Sequence, residues 1–553
     1  MTAPLQDDAI KAARDAQIGR DATLRTPFGL RPLIYADYAA SGRADTRVEA
    51  AVEGVLAAYA NPHTDDSATG RTSTDWLHRA DHMIREALNV RPEDGVVACG
   101  SGATGAIAKL QEILGVAESP ASRAERMDNM RQLLGSEVAD KLEAQLRALA
   151  PVVFVGPYEH HSNDLTWRES RAEIVRIGLD ETGGIDFGEL ETALKDPRHA
   201  GRRKIGAFSA ASNVTGIKTD VPRLARLLHE NDAILCLDCA ASAPYLKIDL
   251  NPEDPAAGPD AVSLSPHKFV GGPGSCGLLV FRASIYRGDL PPTVSGGGTV
   301  SYVMPQSHDF IPDISVRERA GTPGMPQMLR AALALKYLGS VGYDTVEARE
   351  HAAMEKAFAA WAEDSRIEIL GSRDPERRIG IAAFNIRTAN GDILHPRYVS
   401  NLLSDLFGIQ SRAGCSCAGP YGHTLLDLDL SASADIREAV LSGYAGVRPG
   451  WCRVSLHWLM DEEEIDYLIE AVRFVARHGE DFLRCYEFCA YSGQWKHKDS
   501  NADFGIVAQS RGRRLMAKAM DEARVLAESL DCCEGCGCLP EDVEPLRNFA
   551  VPA

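Results

Sequence analysis

Lys268 lies in the stretch DAVSLSPHKFVGGPGSCGLLVFR, residues 260–282, between two apolar runs and just ahead of a bend built from Gly271, Gly272, Pro273 and Gly274. That pattern reads as strand, tight functional turn, strand. A lysine fixed at such a turn beside Ser265 and His267 is placed to form a Schiff base with a carbonyl cofactor. A surface lysine in a polar loop leaves the same local pattern, so the residues around it must decide. Thirty residues earlier stands Asp238, a carboxylate able to pair with a pyridinium nitrogen. His160 offers an imidazole able to stack on a ring and shuttle protons. Gly100-Ser-Gly-Ala103-Thr104 opens a helix, where free N–H groups and the helix dipole favour a phosphate. A tight helix entry without a ligand is the alternative there.

Thirteen cysteines form a second set of candidates. Cys99, Cys236 and Cys276 lie in or beside apolar runs, where a buried reduced thiol is expected, and a reducing cytoplasm is the simplest compartment. Cys415 and Cys417 break that pattern, as does the tail DCCEGCGC with Cys532, Cys533, Cys536 and Cys538. The tail thiols could bind zinc, relay sulfur or have no specific role. Four thiols in seven residues leave little room for one tetrahedral site, so no metal ligand is assigned.

The elements that must position these groups follow from apolar runs. Val96–Cys99, Val152–Val155, Ile174–Ile177, Lys204–Phe208, Ala233–Leu237, Ala261–Leu264 and Gly277–Phe281 read as strands separated by helix-length segments. Continuous apolar strands of this kind predict an α/β protein with a mostly parallel sheet covered on both faces. Ligand-binding residues then belong just past the carboxyl ends of the strands. Four of these strands meet that expectation. They are followed by Glu159-His160-His161 with Asn163, by Asn213, by Asp238, and by Ser265 with His267 and Lys268. Residues 61–74 read as a long polar loop. Residues 115–151 read as an insertion whose second half aligns Val138, Leu142, Leu146 and Leu149 on one helical face, suited to an interface.

Composition bounds the function. At 553 residues two or three domains are expected, and a net charge of −19 argues against a nucleic-acid surface. No apolar run approaches the roughly 20 residues that span a bilayer. The first 21 residues lack a basic start and an apolar stretch, so they read as a polar helix rather than a secretory signal.

The motifs YADYAASG, GSGATGAI, EHHSN, SNVTG, LDCAAS, SPHKFVGGPGSCG, AGTP, RAGCSCAGP and CRVSLHWLMDEEEID stand in this order between residues 31 and 475. In that order the chain resembles the class V aminotransferase superfamily, fold type I pyridoxal 5′-phosphate (PLP) enzymes, and within it the cysteine desulfurase and selenocysteine lyase branch. The resemblance implies that Lys268 binds PLP, that Asp238 pairs with the pyridine nitrogen, and that His160 stacks on the ring. Asn213 is implied near the phenolic oxygen. Ala103, Thr104, Ser265 and His267 are implied as holding the phosphate, with Thr322 reaching it from the neighbouring subunit of a homodimer. Arg453 matches the arginine that grips the substrate carboxylate, a task suited to a bidentate guanidinium. In the pattern Arg412-Ala-Gly414-Cys415-Ser-Cys417, Cys417 is implied as the nucleophile, and a nearby Arg412 favours its thiolate.

The implied activity is a PLP-dependent cysteine desulfurase that takes sulfur from L-cysteine as a persulfide on Cys417 and releases L-alanine. A related carbon–sulfur or carbon–selenium lyase or aminotransferase that does not use Cys417, and a non-catalytic sulfur- or metal-binding homologue, remain the alternatives. A protein sulfur acceptor is a further possible partner. Two positions depart from the family pattern. Ala241 stands where a glutamine usually bonds the phenolic oxygen, and Cys415 replaces a commoner histidine. The expected organisation is a helical leader over 1–30 and a large PLP-binding domain over 31–310 with a seven-stranded sheet. A smaller α+β domain over 311–475 and a helical extension with the cysteine-rich tail over 476–553 complete it.

Overall fold

A computed structural model describes residues 3–500, 505–508, 512–530 and 543–550. The chain divides into two compact units. The larger comprises 41–212 and 218–343, and the smaller comprises 1–40, 213–217 and 344–553.

The large unit is built on seven strands: β1 (Gly95–Cys99), β2 (Val152–Val155), β3 (Glu173–Arg176), β4 (Lys204–Ser209), β5 (Ala233–Asp238), β6 (Ala261–Leu264) and β7 (Gly277–Phe281). Their order in the sheet is β1-β7-β6-β5-β4-β2-β3. Only β7 runs against the rest, pairing antiparallel with both β1 and β6. The expected mostly parallel seven-stranded sheet is therefore present, with each strand within about one residue of the apolar run that announced it. Every residue of β2, β6 and β7 is buried, which is why those runs carry no polar alternation. Helix α1 (Gly102–Ile113) lays Ala103, Ala106, Ile107 and Leu110 into the core alongside Val97, Val153, Ile205 and Leu279.

Two local expectations in this unit change. The polar stretch after residue 61 is loop only in its first part. Ser67 caps a helix from Ala68 to Leu88 by accepting the Gly70 N–H at 3.1 Å, so the polar residues 68–74 form its first turns. The insertion holds two helices rather than one, α2 (Pro120–Leu134) and α3 (Ser136–Ala148). Gly135, at φ +78°, makes the break between them. Val138, Leu142, Leu146 and Leu149 are all exposed along α3 and just beyond it.

The small unit carries an antiparallel sheet of β8 (Ile367–Ile369), β9 (Ile381–Ile386), β10 (Arg412–Gly414) and β11 (Trp451–Ser455), in the order β8-β9-β11-β10. Its core gathers Phe384, Val454, Leu402, Phe407, Leu468 and Trp361, with Met516, Ala519 and Ala523 of helix α4 (Met516–Ser529) joining from the extension. The N-terminal helix covers Ala3–Asp15, as expected of a polar leader. The rest of that leader is not helical. Thr23–Thr26 pairs with Gly29–Pro32 on one edge and with Gly505–Ala508 on the other.

The extension corrects the helical reading of its aromatic-rich start. Leu483–Cys485 is one 3-10 turn, followed by a hairpin of β12 (Tyr486–Cys489) and β13 (Gln494–His497). Tyr486 and Phe488 alternate with the exposed Glu487 and Cys489, a period of two that the density of aromatics had masked. Cys485 and Cys489 therefore share no helix face. Cys532, Cys533, Cys536 and Cys538 lie outside the described residues.

Candidate active site

In the large unit the polar groups gather past the carboxyl ends of the strands. The turn after β6 holds Lys268 half-buried in a 3-10 turn, Pro266–Lys268. The YAASG segment braces it from outside, since the Gly42 N–H donates to the His267 carbonyl at 2.9 Å and Ser41 Oγ donates to the same oxygen at 3.3 Å. A methyl group at Gly42 would meet the Phe269 carbonyl oxygen at 1.9 Å, and one at Gly272 would meet the Pro266 carbonyl oxygen at 1.8 Å. Both glycines are thus required by close approach of backbone around Lys268.

Asp238 ends β5 and is 5% exposed. Burial raises its carboxyl above the usual range, against the Ala240 N–H at 2.8 Å and the charge of Lys268. A buried carboxylate in that condition is relieved by a cationic hydrogen-bond donor, which a protonated pyridine nitrogen is. His160 follows β2 and is half-buried. Its Nδ1 accepts the Ser162 N–H at 3.1 Å, which leaves the ring proton on Nε2.

The entry to α1 forms a cradle. Gly102, at φ +56°, leaves space in which a Cβ would stand 2.7 Å from Ser265 Oγ and 3.0 Å from His267 Cε1. Ser265 Oγ accepts the Ala103 N–H at 2.8 Å, and Thr104 Oγ1 lies 2.7 Å from Ser162 Oγ. Burial, and then Lys268, lower the pKa of His267, so its imidazole is neutral at neutral pH. Amide groups, hydroxyls and a helix N-terminus around a space closed to any side chain fit a phosphate group. Thr322 lies exposed on a loop, its hydroxyl 3.4 Å from Asn61 Nδ2. Ala241 is 7% exposed and offers no polar atom where the family pattern has an amide.

Sequence reasoning underweighted Glu159. It is 2% exposed and takes the Ser209 N–H at 2.8 Å on one oxygen, with Ser209 Oγ and Asn163 Nδ2 at 2.6 Å on the other. Burial nevertheless pushes its pKa up to about 8, with the charge of Asp238 acting in the same direction. It ties the end of β4 to the EHHSN turn that carries His160.

The small unit assembles the other candidates. Arg412 of β10 and Arg453 of β11 face each other directly across the strand pair. Asp37, which sequence reasoning passed over inside YADYAASG, lies between them. Its Oδ1 accepts Arg453 Nη2 at 3.0 Å and its Oδ2 accepts Arg412 Nε at 2.9 Å. Arg453 is 3% exposed and also donates through Nη1 to the Asn213 carbonyl at 2.7 Å. Asn213 in turn donates Nδ2 to the Ser416 carbonyl at 2.7 Å, while its buried Oδ1 has no hydrogen-bond partner among the described residues. The arrangement thus runs from Arg453 through Asn213 to the residue before Cys417. Arg412, expected from the sequence to serve that thiol, is engaged by Asp37.

Cys415, Ser416, Cys417 and Ala418 form a β-turn closed by the Ala418 N–H to the Cys415 carbonyl at 3.0 Å. Its central residues, Ser416 at φ +50° and Cys417 at φ +57°, are both left-handed, as in a type I′ turn. Glycine, asparagine and aspartate normally hold those positions, and other residues adopt them at a cost of about 1–2 kcal/mol each. The strain is held by Asn213 on the Ser416 carbonyl and by Trp451 Nε1, 3.2 Å from the Ser416 hydroxyl. Both thiols are exposed. Backbone strain of this kind collects at functional sites.

Comparison with known proteins gives a consistent picture. Residues 137–468 match the model of the family described as aminotransferase class-V. A probable cysteine desulfurase of Streptomyces coelicolor is 27% identical over 70% of this chain and 84% of its own length. One from Halalkalibacterium halodurans is 26% identical over 73% of this chain and 87% of its own length. Among solved structures, a cysteine desulfurase from Thermococcus onnurineus aligns with a TM-score of 0.63 at 20% identity, covering 80% of this chain and 95% of that one. A cysteine desulfurase from Escherichia coli aligns at 0.59 and 20% identity, covering 79% and 93%.

Proposed function

The chain belongs to the aminotransferase class-V family, whose members are PLP-dependent enzymes, and from that membership we propose that it is a cysteine desulfurase. The observation that carries the reading is the strained turn in which an exposed Cys417 is linked through Ser416 and Asn213 to the buried Arg453. An amino-acid carboxylate on that arginine and a nucleophilic thiol tied to the same frame are what desulfuration of cysteine requires.

Lys268, Asp238 and His160 would hold the PLP ring, with Ala103, Thr104, Ser265 and His267 around its phosphate. When bound, PLP supplies an electron sink for the bonds of the substrate α-carbon. The chain's own residues do the rest. Arg453 binds the carboxylate with its guanidinium fixed by Asp37 and the Asn213 carbonyl. Lys268 Nζ moves the proton of the α-carbon. Cys417 Sγ attacks the sulfur of L-cysteine and keeps it as a persulfide, and the remaining carbon skeleton leaves as L-alanine. We further propose a homodimer, with the exposed Thr322 loop serving the partner's phosphate site.

Incubating the PLP-loaded protein with L-cysteine and measuring alanine and protein persulfide together tests the reading. Equal amounts of both, with neither formed by Cys417→Ser, are expected. Alanine at the wild-type rate from Cys417→Ser would remove Cys417 from the reaction. A second reading, a carbon–sulfur or carbon–selenium lyase that does not use Cys417, is favoured by Ala241, which leaves the phenolic oxygen without the usual amide donor. That lyase would release sulfide or selenide without any protein persulfide.

A further inference from the structure

The desulfurase reading employs one of two thiols that share a turn. Cys415 is the first residue of the type I′ turn and Cys417 the third, and both are exposed. Ser416, between them, is fixed at its carbonyl by Asn213 and at its hydroxyl by Trp451. Successive Cα atoms stand ~3.8 Å apart, and a chain that reverses direction brings residues two apart inside the roughly 4.4–6.8 Å at which two cysteines can join through sulfur. Among the described cysteines, exposure together with a place in this turn is shared by Cys415 and Cys417. Cys236, Cys239 and Cys452 are buried, and burial pushes each thiol well up.

We propose that Cys415 is the first acceptor of the sulfur delivered to Cys417, so that the turn is an internal sulfur relay. The proposal rests on the desulfurase reading. In the step, the Cys415 thiolate attacks the outer sulfur of the Cys417 persulfide. The bond between that sulfur and Cys417 Sγ breaks, and its electron pair stays on Cys417 Sγ as a thiolate. A new sulfur–sulfur bond forms on Cys415, and the proton given up by Cys415 is available to Cys417. One sulfur–sulfur bond replaces another, so no oxidant or reductant enters. Attack at Cys417 Sγ would instead expel sulfide and close a disulfide across a turn whose two central residues are already strained. Transfer to the outer sulfur closes no covalent ring.

The relay separates loading from delivery. Cys417 returns to its reduced form and takes a second sulfur while the first waits on Cys415. Without an external acceptor, each chain then stores about two sulfurs in its initial burst, where a single thiol stores about one.

The experiment is a rapid-quench reaction of the PLP-loaded enzyme with L-cysteine and no reductant, counting alanine and locating added sulfur by alkylation and tandem mass spectrometry. Fragment ions on either side of Ser416 distinguish the two cysteines. The wild type is expected to give a burst of about two alanines per chain, with sulfur on Cys417 first and on Cys415 afterwards. Cys415→Ser and Cys415→Ala are each expected to halve the burst and to confine turn sulfur to Cys417. Sulfur that never appears on Cys415 in the wild type overturns the relay and leaves the desulfurase reading standing. Absence of alanine from the wild type overturns both.

Discussion

Asp37 has a task that neither arginine can perform alone. Arg412 and Arg453 are directly opposed on neighbouring strands, and like charges in that position destabilise a sheet. One carboxylate bonded to both turns the repulsion into a clamp and sets the direction in which Arg453 points. Asp37→Asn keeps the shape and removes the charge. Steady-state kinetics with L-cysteine should show KM rising and kcat/KM falling about tenfold, close to 1.4 kcal/mol of transition-state binding. An unchanged KM would mean that the Asn213 carbonyl alone orients the arginine.

A second residue ties the small unit to pH. His395 is 3% exposed, and its Nδ1 accepts the Arg397 N–H at 3.1 Å while its Nε2 lies 3.2 Å from the Gly446 carbonyl. Both ring nitrogens are therefore satisfied only in the neutral form. Burial lowers its pKa to about 4. Because the folded state binds this proton more weakly than the unfolded state, stability is intact above pH ~6.5 and falls as pH drops towards 4. The loss approaches roughly 3 kcal/mol at the lower limit. Urea unfolding at a series of pH values should show that fall in the wild type and a flatter profile in His395→Gln.

At the scale of elements, the entry of α1 makes the phosphate cradle depend on the absence of one methyl group. Gly102→Ala would strain a left-handed position and bring its Cβ to 2.7 Å from Ser265 Oγ. Equilibrium dialysis should find PLP affinity reduced at least tenfold, while the strands stay folded by circular dichroism. Much of this architecture was readable beforehand, because β2, β6 and β7 are buried on both faces and appear as unbroken apolar runs. The residues after them were readable for the same reason, since polar groups directly following a buried parallel strand stand at the sheet edge where ligands bind. Asp37 was not readable, because its value arises from two arginines some four hundred residues away. The left-handed turn was hidden too. Its central residues, Ser416 and Cys417, lack the glycine or asparagine by which such turns announce themselves. In the extension, aromatic density suggested a helix, while the alternation of Tyr486 and Phe488 with polar neighbours produced a hairpin.

Across the whole chain, the small unit is assembled from sequence ends. Arg31, 1% exposed, donates to Glu522 at 2.8 Å, and its Nε and Nη2 have no hydrogen-bond partner among the described residues. Removing the acceptor by Glu522→Ala leaves a buried guanidinium with less compensation than before. A loss of about 2 kcal/mol is expected in urea unfolding, less than the ~3–5 kcal/mol of a fully buried pair because Glu522 is part-exposed. Arg31→Met together with Glu522→Ala should recover much of that loss, since the double variant buries no charge.

The strand Thr23–Thr26 takes one partner from its own neighbourhood and the other, Gly505–Ala508, from the far end of the chain. On the ribosome these two partners emerge at very different times. The segments of the large unit, 41–212 and 218–343, are synthesised before most of the small unit exists. At ~5–20 residues per second, a further roughly 10–30 s pass before Gly505–Ala508 is made. Throughout that interval the hairpin has an open backbone edge, the kind of surface on which nascent chains pair with one another. Faithful production of this protein thus depends on keeping this hairpin apart from other copies until its own Gly505–Ala508 arrives.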